Sequence, residues 1–247
     1  MLAGRAENAP HERRLPTEDQ PVTRISARTI ARSAALSSRS SPTVTIHLRK
    51  MYVDCRFGQL HLHTSFPSSG GFDELTPLLC VAPPTQSGRA FRPVLRDLGR
   101  DRSVYAPDLP GSGESDAPEH APVVADHAAA FVDLIDSLRL KQVDVIGYQA
   151  GALAAIELAL AKPEQVRRLI LIGVPSSDSG YQVGERLPLL KLPVMILRAR
   201  DEFWESTGRT ESLLRDARRA ELSDPTGNVL DADAEEIVRY ARDFLDR

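Results

Sequence analysis

Residues 143–160 read VDVIGYQAGALAAIELAL. Val143–Tyr148 is short, mostly apolar and rich in β-branched side chains, as a buried strand is. Ala150–Leu160 is rich in Ala and Leu and reads as a helix that stops near Pro163. Gly147 and Gly151 flank the corner between them. Without Cβ atoms, two such glycines let a strand and the following helix approach closely around a sharp turn. The residue at the centre of the turn is Gln149. Its amide donates and accepts hydrogen bonds, but it is not a nucleophile and has no pKa that a base could exploit.

The flanking sequence continues the alternation. TVTIHLRKMYVDC (43–55) and QLHLHTSF (59–66) alternate apolar and polar residues, as exposed antiparallel strands do, with PSSGGFDEL as the turn that follows. PLLCVA, SVYAPDL, VRRLILIGV, LPVMILRA and RRAELSD read as further strands. FRPVLRDL, Val123–Leu138, ESTGRTESLLRDA (205–217) and DAEEIVRYARDFLD read as helices. Two antiparallel strands followed by repeated strand–helix units predict a mostly parallel central sheet with helices on both faces. One domain is expected over 45–247.

The composition, 42% hydrophobic and 26% charged over 247 residues, is that of a globular protein. No apolar run reaches the ~20 residues of a membrane span. Residues 1–50 hold nine Lys/Arg against four Asp/Glu, so a net charge of −3 leaves −8 on the remainder. A body this acidic argues against nucleic acid as a partner. Residues 1–44 are Arg-, Ser- and Ala-rich toward their end, but the upstream acids do not suit a transit peptide. A disordered extension, or a start site placed too early with Met51 as the biological start, is expected there. Cys55 and Cys80 form neither a disulfide framework nor a metal motif, and Cys80 reads as a buried thiol. No metal or cofactor is expected, a cytoplasmic location is, and oligomeric state is not readable.

PLLCVAPPTQSGRAF, YAPDLPGSGESD, VDVIGYQAGALAAIELAL, VRRLILIGVPS, LPVMILRARDEFW and the Gly227–Asn228 pair together resemble the α/β-hydrolase fold. The resemblance covers almost all of 50–247. Between Val174 and Leu192 there is no room for a large cap, which implies an open site. It also makes the turn at Gln149 the family's nucleophile elbow, with Ser, Cys or Asp replaced. Asn228 stands where the family's base His is expected, and Asn takes up no proton near neutral pH. Asp201 matches the orienting acid, or else caps the next helix. Pro84 falls where a backbone N–H should complete the oxyanion hole, and proline has none. Ala150 keeps its N–H, and a shift of one residue would make Thr85 the other donor.

The expected function is therefore an α/β-hydrolase-fold protein that has lost serine-hydrolase chemistry and retains a pocket for a small molecule. Thr85, Gln86, Ser112 and Tyr148 are the pocket candidates. The alternative is an active enzyme, either an ester hydrolase using Ser87 or Ser112 or a lyase, isomerase or cyclase without a covalent intermediate. Of the six histidines, His11, His47, His61, His63, His120 and His127, none lies in the loop before the last helix. Only His120, in EHAPVV, has a loop position from which it could reach the site mouth.

Overall fold

The computed structural model describes residues 46, 48–68, 74–178, 180–223 and 229–247. The expected N-terminal extension (1–44), His11, His47 and Asn228 lie outside the described residues. The compact unit from Val44 to Arg247 carries all the elements below.

The strands are β1 (Arg49–Cys55), β2 (Gly58–Ser65), β3 (Leu78–Val81), β4 (Val104–Pro107), β5 (Val143–Tyr148), β6 (Val166–Ile172), β7 (Ser177–Asp178), β8 (Tyr181–Gln182), β9 (Val194–Arg198) and β10 (Ala217–Glu221). The helices are α1 (Arg92–Leu98), α2 (Val124–Ser137), α3 (Ala150–Ala161), α4 (Val183–Arg186), α5 (Trp204–Ser212), α6 (Val229–Ala232) and α7 (Ala234–Leu245). Eight strands form one sheet in the order β1-β2-β4-β3-β5-β6-β9-β10. β1 pairs antiparallel to β2 and β2 to β4, and every later pairing is parallel. The strand ends after β3, β5, β6 and β9 therefore open on one edge, where α/β sheets bind ligands.

Both faces of the central strands are buried, because alternate side chains serve two cores. Leu79, Val81, Val145, Leu171 and Ile196 pack with Phe131 and Leu134 of α2 and Leu153 and Ile156 of α3. Leu78, Cys80, Ile146, Ile170 and Leu197 pack with Leu95 of α1 and Ile237 and Phe244 of α7. Cys80 is fully buried, and burial pushes its thiol pKa up.

Three expectations are corrected. β2 is not an exposed strand: His61, Thr64 and Ser65 are buried along with Leu60 and Leu62. Its polar face is covered because Ser65 Oγ bonds Leu95 O in α1 and His61 bonds Asp108 in the turn after β4. Among the described residues the first strand begins at Arg49, with Ile46 and Leu48 outside it, whereas a strand from 43 was expected. The helix expected over 205–217 ends at Ser212, because Ala217 is already paired with Val194 in the sheet. Among the described residues between β6 and β9 the chain makes only a two-residue-strand hairpin, the single-turn α4 and a 3-10 turn, Leu187–Leu189. Tyr181 and Arg186 hold this segment down on Glu157 of α3 at 2.6–2.9 Å.

The two glycines around Gln149 are steric requirements. A Cβ on Gly147 would lie 2.5 Å from Ala152 Cα, and one on Gly151 would strike the carbonyl oxygens of Val81 and Ala82. Gly151→Ala is expected to cost about 1–3 kcal/mol of stability by overpacking this contact. Urea unfolding of the variant beside wild type measures it.

Candidate active site

Gln149 leaves β5 with φ 51° and ψ −127°, outside the regions ordinary residues prefer. Such a conformation costs about 1–3 kcal/mol and persists only where its surroundings hold it. Gln149 N–H donates to Ile172 O at 2.8 Å, and Ala152 N–H donates to Gln149 O at 2.9 Å. One bond ties the turn to β6 and the other to the first turn of α3. The corner is thus the elbow the sequence suggests, with an amide side chain on it. Gln149 Nε2 donates to the Tyr148 hydroxyl oxygen at 3.1 Å. Tyr148 is buried, and burial together with the charges of Asp201 and Glu202 pushes its phenol up to about 12. It stays protonated at neutral pH and keeps a proton to donate.

Asp201 lies three residues past the end of β9, two strands from β5. Its Oδ1 accepts Phe203 N–H at 3.0 Å, and its carbonyl accepts Trp204 N–H at 3.1 Å, so it organises the turn into α5. Its Oδ2 is buried and has no hydrogen-bond partner among the described residues. Burial raises the carboxyl pKa, opposed in part by the Phe203 N–H. Gly173, at φ 60° after β6, is where the two side chains converge. A Cβ there would stand 3.0 Å from Asp201 Oδ2 and 3.4 Å from Gln149 Cγ. Gly173 and Phe203, whose ring borders the same space, were not singled out from sequence. A glycine directly after the apolar run of β6 was the available signal.

Opposite, Pro83–Gln86 is a turn closed by Gln86 N–H to Pro83 O at 2.9 Å. Pro84 and Thr85 are its exposed centre. Ser112 Oγ donates to Pro84 O at 3.0 Å, and no described histidine is bonded to it. Gln86 Oε1 is buried without a partner among the described residues. Ala150 is the first residue of α3, where the backbone N–H has no intrahelical acceptor. Gly151, the next residue of α3, rests on Val81 and Ala82, which lead into the Pro83–Gln86 turn. His120 pairs with Asp126 at 3.0 Å and is exposed, His61 pairs with Asp108, and His127 is buried in α2. No histidine among the described residues bonds Asp201.

A sheet of this order with such an elbow defines a class, and the comparisons agree. The family model described as alpha/beta hydrolase fold matches residues 76–198. The chain belongs to the α/β-hydrolase superfamily. It is 34% identical over 130 residues to 2-hydroxymuconate semialdehyde hydrolase of Pseudomonas sp. (strain CF600), a match covering 51% of this chain and 44% of that protein. It is 34% identical over 84 residues to 2-hydroxy-6-oxo-2,4-heptadienoate hydrolase of Pseudomonas putida, covering 34% of this chain and 30% of that one. The chain thus spans less than half the length of these curated relatives. The enol-lactonase of Burkholderia xenovorans LB400 superposes with a TM-score of 0.71 at 14% identity, over 80% of this chain and 100% of that one. Among the described residues no helix is long and apolar enough to cross a membrane.

Two outcomes test the site's energetics. Gln149→Gly removes the positive-φ strain and is expected to stabilise the fold by about 1 kcal/mol in chemical unfolding. The Asp201 carboxyl has a folded pKa raised above the unfolded ~3.9. The folded state is therefore penalised above its folded pKa and not below the unfolded one. Asp201→Asn is expected to be more stable than wild type at pH 7, with the difference shrinking as pH falls through this window. Unfolding midpoints at pH 3.5 and pH 7 check it.

Proposed function

We propose that this chain has left serine-hydrolase chemistry and uses the carboxyl edge of its sheet to bind a small polar molecule reversibly. One observation carries the reading: the residue on the strained elbow is Gln149, whose amide is turned onto the Tyr148 phenol. An elbow aims its central side chain at a substrate, and an amide there can orient a carbonyl or hydroxyl group but cannot attack it. Asn228 in the base position and Pro84 in the donor position support the same reading from sequence. Removing one triad member costs several orders of magnitude, and removing a second adds little, so the other parts are free to change. The reading includes the cytoplasmic setting expected from sequence. Relatives named as hydrolases of 2-hydroxymuconate semialdehyde make a small carbonyl compound the first ligand to try.

A second reading, turnover without a covalent intermediate, is favoured by Asp201 Oδ2, buried without a partner among the described residues, and by its charge acting on the protonated Tyr148. A buried acid–base pair of this kind can move a proton on a bound carbonyl compound.

Ester hydrolysis and fluorophosphonate labelling decide between binding and serine chemistry. Wild type is expected to be silent in both, and Gln149→Ser/Asn228→His to gain labelling and at least about 10³-fold in ester turnover over wild type. Labelling of the wild-type protein would overturn the proposal. The second reading requires that any isomerisation or lyase activity disappear in Asp201→Asn.

A further inference from the structure

A polar cavity of about 380 Å³ opens between β2, the 3-10 turn Gly88–Phe91 and the turn that follows β4. Arg49, Lys50, Arg89 and Arg92 line it, together with His63 and Ser87. So do two acids, Asp108 and Glu114. Whether the cavity is positive depends on how far those acids are already used.

Both are used. Asp108 Oδ1 accepts Gly88 N–H at 2.7 Å. Its Oδ2 accepts Glu114 N–H at 2.9 Å and faces His61 Nδ1 at 2.9 Å. Glu114 takes Lys50 Nζ at 2.5 Å and the Tyr52 hydroxyl at 2.8 Å, which hold its carboxyl down at about 2. Lys50 and Glu114 therefore offset one another. The three guanidinium groups make no ion pair and no side-chain hydrogen bond with the described residues. Ser87 Oγ accepts Arg89 N–H at 3.3 Å and still has its own proton to donate. His63 is half-buried, and burial, with Lys50 and Arg92 nearby, holds its pKa below the ordinary value.

The same region offers a competing set. One ligand atom each from His61, His63 and Asp108 lie within 4.8 Å of one another, as for a metal ion. Asp108 is a poor ligand here, because its oxygens already accept three hydrogen bonds. Lys50 and Arg92 would also repel a dication. Three unpaired arginines instead favour an anion, and the guanidinium fork matches an oxyanion in two hydrogen bonds at once.

We infer that this cavity is an anion site, taking a small oxyanion (a phosphoryl or carboxylate group) between Arg49, Arg89 and Arg92. None of its lining residues belongs to the elbow, and the assignment does not depend on the function proposed for Gln149.

Titration of the full chain with inorganic phosphate at pH 7 and constant ionic strength tests it, followed by NMR of the His63 imidazole. A saturable shift at His63 is expected, absent with chloride, and Arg89→Ala/Arg92→Ala should weaken phosphate at least about tenfold. A parallel titration with acetate identifies the group, the tighter of the two being the one recognised. If the double variant does not keep the wild-type circular dichroism, Arg92→Gln and Arg49→Ala singly should each weaken binding. A response shared with chloride, unchanged affinity in folded variants, or saturation by Zn²⁺ without any by phosphate would overturn the assignment.

Discussion

The backbone of Gln149 is the constraint on which the candidate site depends. A non-glycine residue at positive φ is strained, and it is held by one hydrogen bond to β6 and one within the first turn of α3. Gly147 lets α3 lie against β5, and Gly151 lets it lie against the end of β3. A strain of this size is small beside the apolar area buried in the two cores, where the central strands are inaccessible on both faces. The geometry of the elbow therefore persists whichever side chain stands on it. This is the physical reason a hydrolase-fold elbow can carry the amide side chain of Gln149.

The electrostatics of the site follow from the same burial. Tyr148 is kept neutral, and the Asp201 carboxyl is made harder to ionise, with one oxygen engaged in the turn and the other unpartnered among the described residues. These groups can hold a polar molecule by hydrogen bonds. On the side of Ala150, one backbone N–H remains and Pro84 supplies none. The polar network around His61 and Asp108 does different work, fastening the turn after β4 to β2. A Cβ on Gly113 would collide with the Asp108 carboxylate, which shows how tightly that turn is wrapped.

Much of this was legible in the sequence. Short apolar runs bounded by turn residues marked β3 to β6 and β9, and the helical spacing from Val124 to Leu138 marked α2. Tyr148 at the end of β5, Gln149 after it and Asp201 after β9 were named as candidates from their places in the sequence. What failed has a common cause. The alternation in β2 looked like one wet face, but a helix and a turn distant in sequence cover its histidines. The residues after Ser212 have helical character, but pairing with β9 claims them for the sheet. Gly173 and the arginines around His63 acquire meaning only beside groups far along the chain.

Local pattern by itself determined the order of elements, the glycine-flanked elbow and the identity of the residue on it. These depend on steric and chemical properties of neighbouring residues, which the sequence states directly. Only the tertiary structure decided that Asp201 and Gln149 meet over Gly173, that β2 is buried, and that three arginines share a cavity whose acids are already engaged. Those facts arise from contacts between strands and loops widely separated in the chain. No local pattern specifies how burial and pairing distribute hydrogen bonds and charge among them.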